Sequence, residues 1–115
     1  MSGNFVSDAC RLVGGHLATT TNTTMFRAVG YIQVIGLRLT NVTGTDAVAT
    51  VSWFSAGAEE EYRLLFQHVV PANGQLWLPL EAFALAENDE IRVQAGTANA
   101  LDVILSISDV PGRSG

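Results

Sequence analysis

Two histidines, His16 and His68, and one cysteine, Cys10, are the nitrogen and sulfur donors this chain offers a soft metal ion. They lie in separate segments without ligand spacing, so a zinc site would need carboxylates to complete it. His68 alternates with Phe66, which reads as a hydrogen-bonded residue of a strand wall. No serine sits in a glycine-flanked elbow, so neither histidine has a nucleophile to serve. Cys10 lies near Asp8, whose charge disfavours a reactive thiolate, and is read as inert. The acidic clusters Glu59-Glu60-Glu61 and Glu87-Asn88-Asp89-Glu90 carry hard oxygen donors, but the calcium-binding loop with its fixed ligand positions is absent. Both are read as solvated turns. Nothing selects a carboxylate pair for glycoside hydrolysis, and Gly14-Gly15 and Gly30 belong to no phosphate-loop pattern. The expectation is a chain with no catalytic residue, no metal and no cofactor.

The aromatic residues offer another kind of chemistry. Trp53, Phe54, Tyr62, Phe66 and Trp77 have the flat faces on which sugars stack. Alternation puts Trp53 inward, while Trp77 points away from Leu76 and Leu78 in a short strand flanked by Pro79. An exposed Trp on such a strand favours a protein interface over a sugar site.

Bulk composition narrows the classes. With 115 residues the chain is long enough for one domain, which buries roughly two-thirds of its unfolded surface. A hydrophobic share of 48% is globular and excludes a disordered chain. Only 15% of residues are charged, which fits either a surface covered by a partner or a Thr- and Ala-rich solvated one. The net charge is −5 and all six cations are Arg, so no basic cluster exists to neutralise phosphates. Direct nucleic-acid binding is not expected. A lone cysteine gives no disulfide and no sign of an oxidising compartment. No signal peptide or membrane-spanning run is read, so a soluble protein made in a cytosol is expected. Asn22-Thr23-Thr24 and Asn41-Val42-Thr43 match the glycosylation acceptor pattern and are read as incidental.

The elements that position these residues are strands. Leu101, Val103, Leu105 and Ile107 alternate with Asp102, Ser106 and Ser108, the period of a strand with one buried face. Strands are read at Met25–Ala28, Tyr31–Thr40, Ala47–Phe54, Glu61–Val70, Gln75–Leu80 and Glu90–Ala95. In the second of these Ile35, Leu37 and Leu39 share a face with Tyr31. Asn41–Asp46, Ser55–Glu60 and Pro71–Gly74 are turns, and Ala82–Leu85 is read as a helical turn or a bend. Seven or eight strands at roughly ten-residue spacing, without an amphipathic helix, make a β-sandwich or a small barrel. Residues 1–22 form an extended arm, with a short strand conceivable over Arg11–Thr19, residues 23–110 the domain, and residues 111–115 a flexible tail. The arm's Phe5, Val6, Leu12, Val13 and Leu17 are spaced too irregularly for a helix stripe and call for burial against something else.

The runs LRLTNVTGTDAVATVSW, VVPANGQLWLPLEAFALAENDEIRVQAG and ALDVILSISDV resemble small β-sandwich structural proteins of tailed bacteriophages. The likeness rests on Asn41–Asp46, Pro71–Gly74, Leu76–Leu80, Leu85–Glu90 and Leu101–Ile107, and extends from about Thr19 to Val110. It implies an all-β fold: a single antiparallel, jelly-roll-like sandwich of seven to eight strands with an N-terminal arm, the arm being a departure from the pattern. It also implies a non-enzymatic virion component that decorates or cements the capsid, or an accessory protein of the neck or tail. The rival of another class is a carbohydrate-binding module on a tail. The expected partners are further copies, most simply a homotrimer, and the major capsid protein or another virion protein, with neither nucleic acid nor membrane. Its expected location is the virion, after synthesis in the host cytoplasm. The expected interface residues are Phe5, Val6, Leu12, Val13, Leu17 and Trp77.

Overall fold

Leu101, Val103, Leu105 and Ile107 are all fully buried, as their alternation requires, and their strand lies inside a sheet. The structure, a computed structural model, describes residues 10–109. Eight strands run in order: β1 Cys10–Leu17, β2 Thr23–Arg27, β3 Ile32–Asn41, β4 Ala47–Ser55, β5 Glu60–Val70, β6 Gln75–Leu85, β7 Glu90–Ala95 and β8 Leu101–Asp109. They form two four-stranded sheets, ordered β1-β8-β3-β6 and β2-β7-β4-β5, with antiparallel pairing throughout. Each strand pairs with the one that mirrors it about the β4–β5 turn, as in a long hairpin rolled up on itself. That is the jelly-roll form of the β-sandwich. Between the sheets lies one core built from Ile32, Val34, Leu37 and Leu39 of β3, Ile91 and Val93 of β7, and the four β8 residues.

The segment from Cys10 to Leu17 differs from the expected arm. From Cys10 to Leu17 the chain is an edge strand paired residue by residue with β8. Gly15 sits against Met25 of β2, where a Cβ would stand 2.5 Å from Cε. Leu17 is 2% exposed, and Val13 packs half-buried against the core, so neither belongs to an outer surface. The sandwich therefore begins by Cys10, not at residue 23. The expected interface residues Phe5 and Val6, and the expected tail over residues 111–115, lie outside the described residues.

Two strands break the simple alternation. In β3, Ile35 is an extra residue against β8, where Val34 pairs with Ile107 and Gly36 with Ser106. This β-bulge resets the phase, so Ile32 and Val34 face inward before it and Leu37 and Leu39 after it. Ile35 and Tyr31, expected to share a face with Leu37 and Leu39, are instead 37% and 71% exposed. In β6, Glu81 and Ala82 both adopt left-handed backbone, with φ of 52° and 64°. They bend the strand without ending it, and Phe83 and Leu85 turn back to the core. Ala82–Leu85, expected as a helical turn or a bend, is thus the bent end of a bulged strand.

Two buried polar side chains fix the corners. Asn41 is 1% exposed and uses its whole amide. Its Nδ2 donates to the carbonyls of Thr45 (2.8 Å) and Val70 (3.0 Å), and its Oδ1 accepts from the backbone N–H and the hydroxyl of Thr43. Asp89, 4% exposed, accepts from the Trp53 indole (3.1 Å), Ala56 N (2.9 Å) and Ala86 N (3.1 Å). Its own carbonyl accepts from Ala28 N at 2.9 Å. One residue of the expected solvated cluster therefore ties β2, β4 and the two turns beside it.

Replacing Asp89 with Ala orphans those donors, each at about 1–3 kcal/mol where water does not replace the acceptor. The urea midpoint should fall sharply while the slope of the transition stays unchanged. A chain starting at Thr21 loses β1 and leaves β8 as a bare edge. Losing the burial of Leu17 and half of Val13 should lower the melting temperature by about 10 °C or more.

Candidate interaction faces

Side chains that point outward from the β1-β8-β3-β6 sheet stand in rows, because the register aligns them. Gly14 pairs with Ile104, Ile104 with Arg38, and Arg38 with Trp77, which makes one row across all four strands. The neighbouring row is Leu12, Ser106, Gly36 and Pro79. Opposed side chains in such rows are close enough to touch. Trp77 lies over Gly36: a Cβ added there would stand 2.6 Å from Cη2 and 2.8 Å from Cζ2 of the indole. Only glycine lets the ring lie down on the strand. The Arg38 guanidinium sits 5.4 Å from the Trp77 ring centroid and donates to Gln75 Oε1 at 3.5 Å. Leu12, Arg38, Trp77, Ile104 and Ser106 enclose a depression of about 290 Å³.

Of the expected interface residues, this face holds Leu12 and Trp77, at 70% and 43% exposure. It adds Ile104, 41% exposed, which is not among the expected interface residues. Its signal was available: an Ile in the outward phase of β8, between Asp102 and Ser106.

The β2-β7-β4-β5 sheet carries a charged network centred on Arg92. Arg92 donates from Nη1 to Glu61 at 2.8 Å and from Nε to Glu90 at 2.9 Å, and its guanidinium lies 4.1 Å from the Phe54 ring centroid. Thr24 Oγ1 donates to Glu90 at 2.7 Å, and Asn22 Nδ2 donates to both oxygens of Glu61. Burial raises the Glu90 carboxyl, but hydrogen bonds from Thr24 and Arg92 and the charges of Arg92 and Arg27 outweigh it and hold the group below its usual value. Glu61 is lowered in the same way against its own burial, by hydrogen bonds from Ser52, Arg92 and Asn22. Glu59 and Glu60 are solvated as expected, whereas Glu61, Asp89 and Glu90 are not. His68, expected on a wall, is exposed on edge strand β5, where register shifts against β4 disturb the alternation.

His16 meets partners far along the chain. The pairing of β1 with β8 sets it opposite Asp102, with Nδ1 2.6 Å from Asp102 Oδ1 and Nε2 3.3 Å from Asn99 Oδ1. Both ring nitrogens face oxygen acceptors, so the doubly protonated ring satisfies both, and the hydrogen bond to Asp102 leads in raising its pKa. Cys10 is exposed. Among the described residues no group of three metal-ligating side chains comes together, and no helix is long and apolar enough to cross a membrane.

A scan against protein-family models finds no match, and a search of curated proteins finds none.

The raised value of His16 has a definite sign. Its pairing stabilises the fold while the ring is protonated, and the gain disappears as pH rises through the folded pKa. The midpoint of the His16 ring, followed by NMR, should lie above the ordinary 6.5 and should move down in Asp102→Asn. Because the pair is solvated, the melting temperature should change little.

Proposed function

We propose that this protein is a non-enzymatic structural component of a bacteriophage virion, a decoration or cement subunit that stabilises a symmetric protein shell. It docks through the outer face of the β1-β8-β3-β6 sheet. The observation that carries the reading is the row of Ile104, Arg38 and Trp77, flanked by Leu12, on one rigid four-stranded surface. Trp and Arg are the side chains that dominate protein–protein affinity when desolvated. Here the indole is held flat by Gly36 and the guanidinium stacks on it, so little rotamer freedom remains to be lost on docking. The likeness of the turn and strand motifs to phage structural proteins supplies the kind of partner.

The mechanism is adhesive. Contact at the row is bordered on one side by His16, Asp102 and Gln75, a polar rim suited to water-mediated bonds. A modest contact repeated around a shell gains by avidity. Copies assemble as a homotrimer, which matches the local threefold points of a capsid, and the major capsid protein is the second partner. A neck or tail position uses the same face against a different ring of subunits.

Particles lacking this protein should bind it in co-sedimentation. Trp77→Ala and Ile104→Asp should each weaken that binding more than tenfold with an unchanged fold, while His68→Ala on the opposite sheet should not. Light scattering should give a trimer at micromolar concentration or on the particle. Equal binding by all three variants would exclude this face, and a strict monomer in both states would exclude the trimer.

A further inference from the structure

The opposite outer face carries a separate cleft, at the place where the backbone is most irregular. In β5, Phe66 and Gln67 both stand between His68, paired with Ala49, and Leu65, paired with Val51, so two residues oppose Thr50 alone. Leu64 is a second extra residue, between Leu65 and Arg63, the latter paired with Ser52. Gln67 has a φ of 47°, a left-handed conformation that disfavours any residue with a Cβ. Its N–H donates to the Thr50 hydroxyl at 3.0 Å instead of to the strand ladder. Strain concentrated at one point of an edge strand re-aims the side chains beside it.

Those side chains line a groove of about 410 Å³. That lies within the roughly 300–1,000 Å³ of small-molecule sites. One wall is Arg63, Phe66 and Gln67 of β5, the floor runs from Thr50 to Gln94, and Asn22 and Glu61 close one end. Phe66 is 61% exposed, and the Arg63 guanidinium lies 5.5 Å from its ring centroid. At the other end stand Val48, Ala95 and Gly96, where a Cβ on Gly96 would come within 2.4 Å of Val48 Cγ2.

We infer that this groove binds a saccharide, with a pyranose face on Phe66 and its hydroxyls held by Thr50, Gln67, Gln94 and Arg63. Amides and hydroxyls donate and accept within one group, which matches vicinal hydroxyls. An exposed aromatic ring supplies the flat apolar partner for a sugar's C–H face. A phosphate ligand is disfavoured by Glu61 in the lining and by the net charge of −5. Strand addition by a peptide is disfavoured too, because the bulges interrupt the free edge of β5 that such a peptide would need. The site shares no residue with the Trp77 face, so it stands or falls separately from the docking proposal.

The test is an amide-shift titration of the full chain by NMR with oligosaccharides of cellulose, chitin, starch and polygalacturonate at millimolar concentration. At least one should shift the amides of Thr50, Phe66, Gln67, Gln94 and Gly96 together and leave Ile104 and Trp77 in place. Phe66→Ala and Gln94→Ala should each weaken that binding tenfold or more. Both side chains are exposed, and the one bond Gln94 gives, from Nε2 to the Thr20 carbonyl at 3.0 Å, is solvated, so each variant should change the melting temperature little, and Trp77→Ala should bind the sugar unchanged. The inference is overturned if no sugar moves these amides, if the shifts centre on Trp77, or if Phe66→Ala binds equally well.

Discussion

Leu37 and Leu39 must face the core, and so must Ile32 and Val34 on the same strand. An even alternation cannot satisfy both pairs, so β3 absorbs one odd residue at Ile35. Everything on the outer face of that sheet inherits the resulting phase. Arg38 points out because Leu37 and Leu39 point in, and the pairing of β3 with β6 then brings Trp77 beside Arg38. Gly36, the next residue after the bulge, sits where the indole has to lie. The core requirement of one strand thus places the residues proposed to dock.

The same logic runs along the opposite edge with a different result. On β5 the irregularity is not hidden between strands but faces solvent, and Gln67 bears it. Such a strand is a poor template for edge-to-edge pairing, which protects a sheet whose edge would otherwise be free to pair. The bulges that guard the edge also shape the groove. The two sheets therefore differ: one presents Ile104, Arg38 and Trp77 in a row beside the β3 bulge, the other a cleft beside the bulges of β5. Asn41 and Asp89 hold the turns between the strands, each saturating several donors or acceptors away from water.

Much of this was legible in the sequence. The alternation of Leu101, Val103, Leu105 and Ile107, and the turns at Asn41–Asp46 and Pro71–Gly74, led to an all-β sandwich, and Trp77 was placed outward by its neighbours. Ile35 was misplaced because a bulge leaves no mark on a period of two. The two glycines of β1 dilute its pattern, so its sequence reads chiefly as an arm, and Gly15 lies against Met25 from the facing sheet. The acidic cluster around Asp89 reads as solvated because two of the donors it accepts from, Trp53 and Ala56, are more than thirty residues away. The pairing of His16 with Asp102 spans 86 residues and depends on the β1–β8 register alone.

The central claim is that this protein adheres through the outer face of the β1-β8-β3-β6 sheet, and hydrogen exchange tests it most directly. The free protein and the particle-bound protein would be exchanged in parallel and resolved by peptide. Binding should slow exchange in segments of the edge strands β1 and β6, around Leu12 and Trp77, and leave β5 near Phe66 as it is in the free chain. Protection confined to β5 and β2, with β1 and β6 unchanged, would contradict the account.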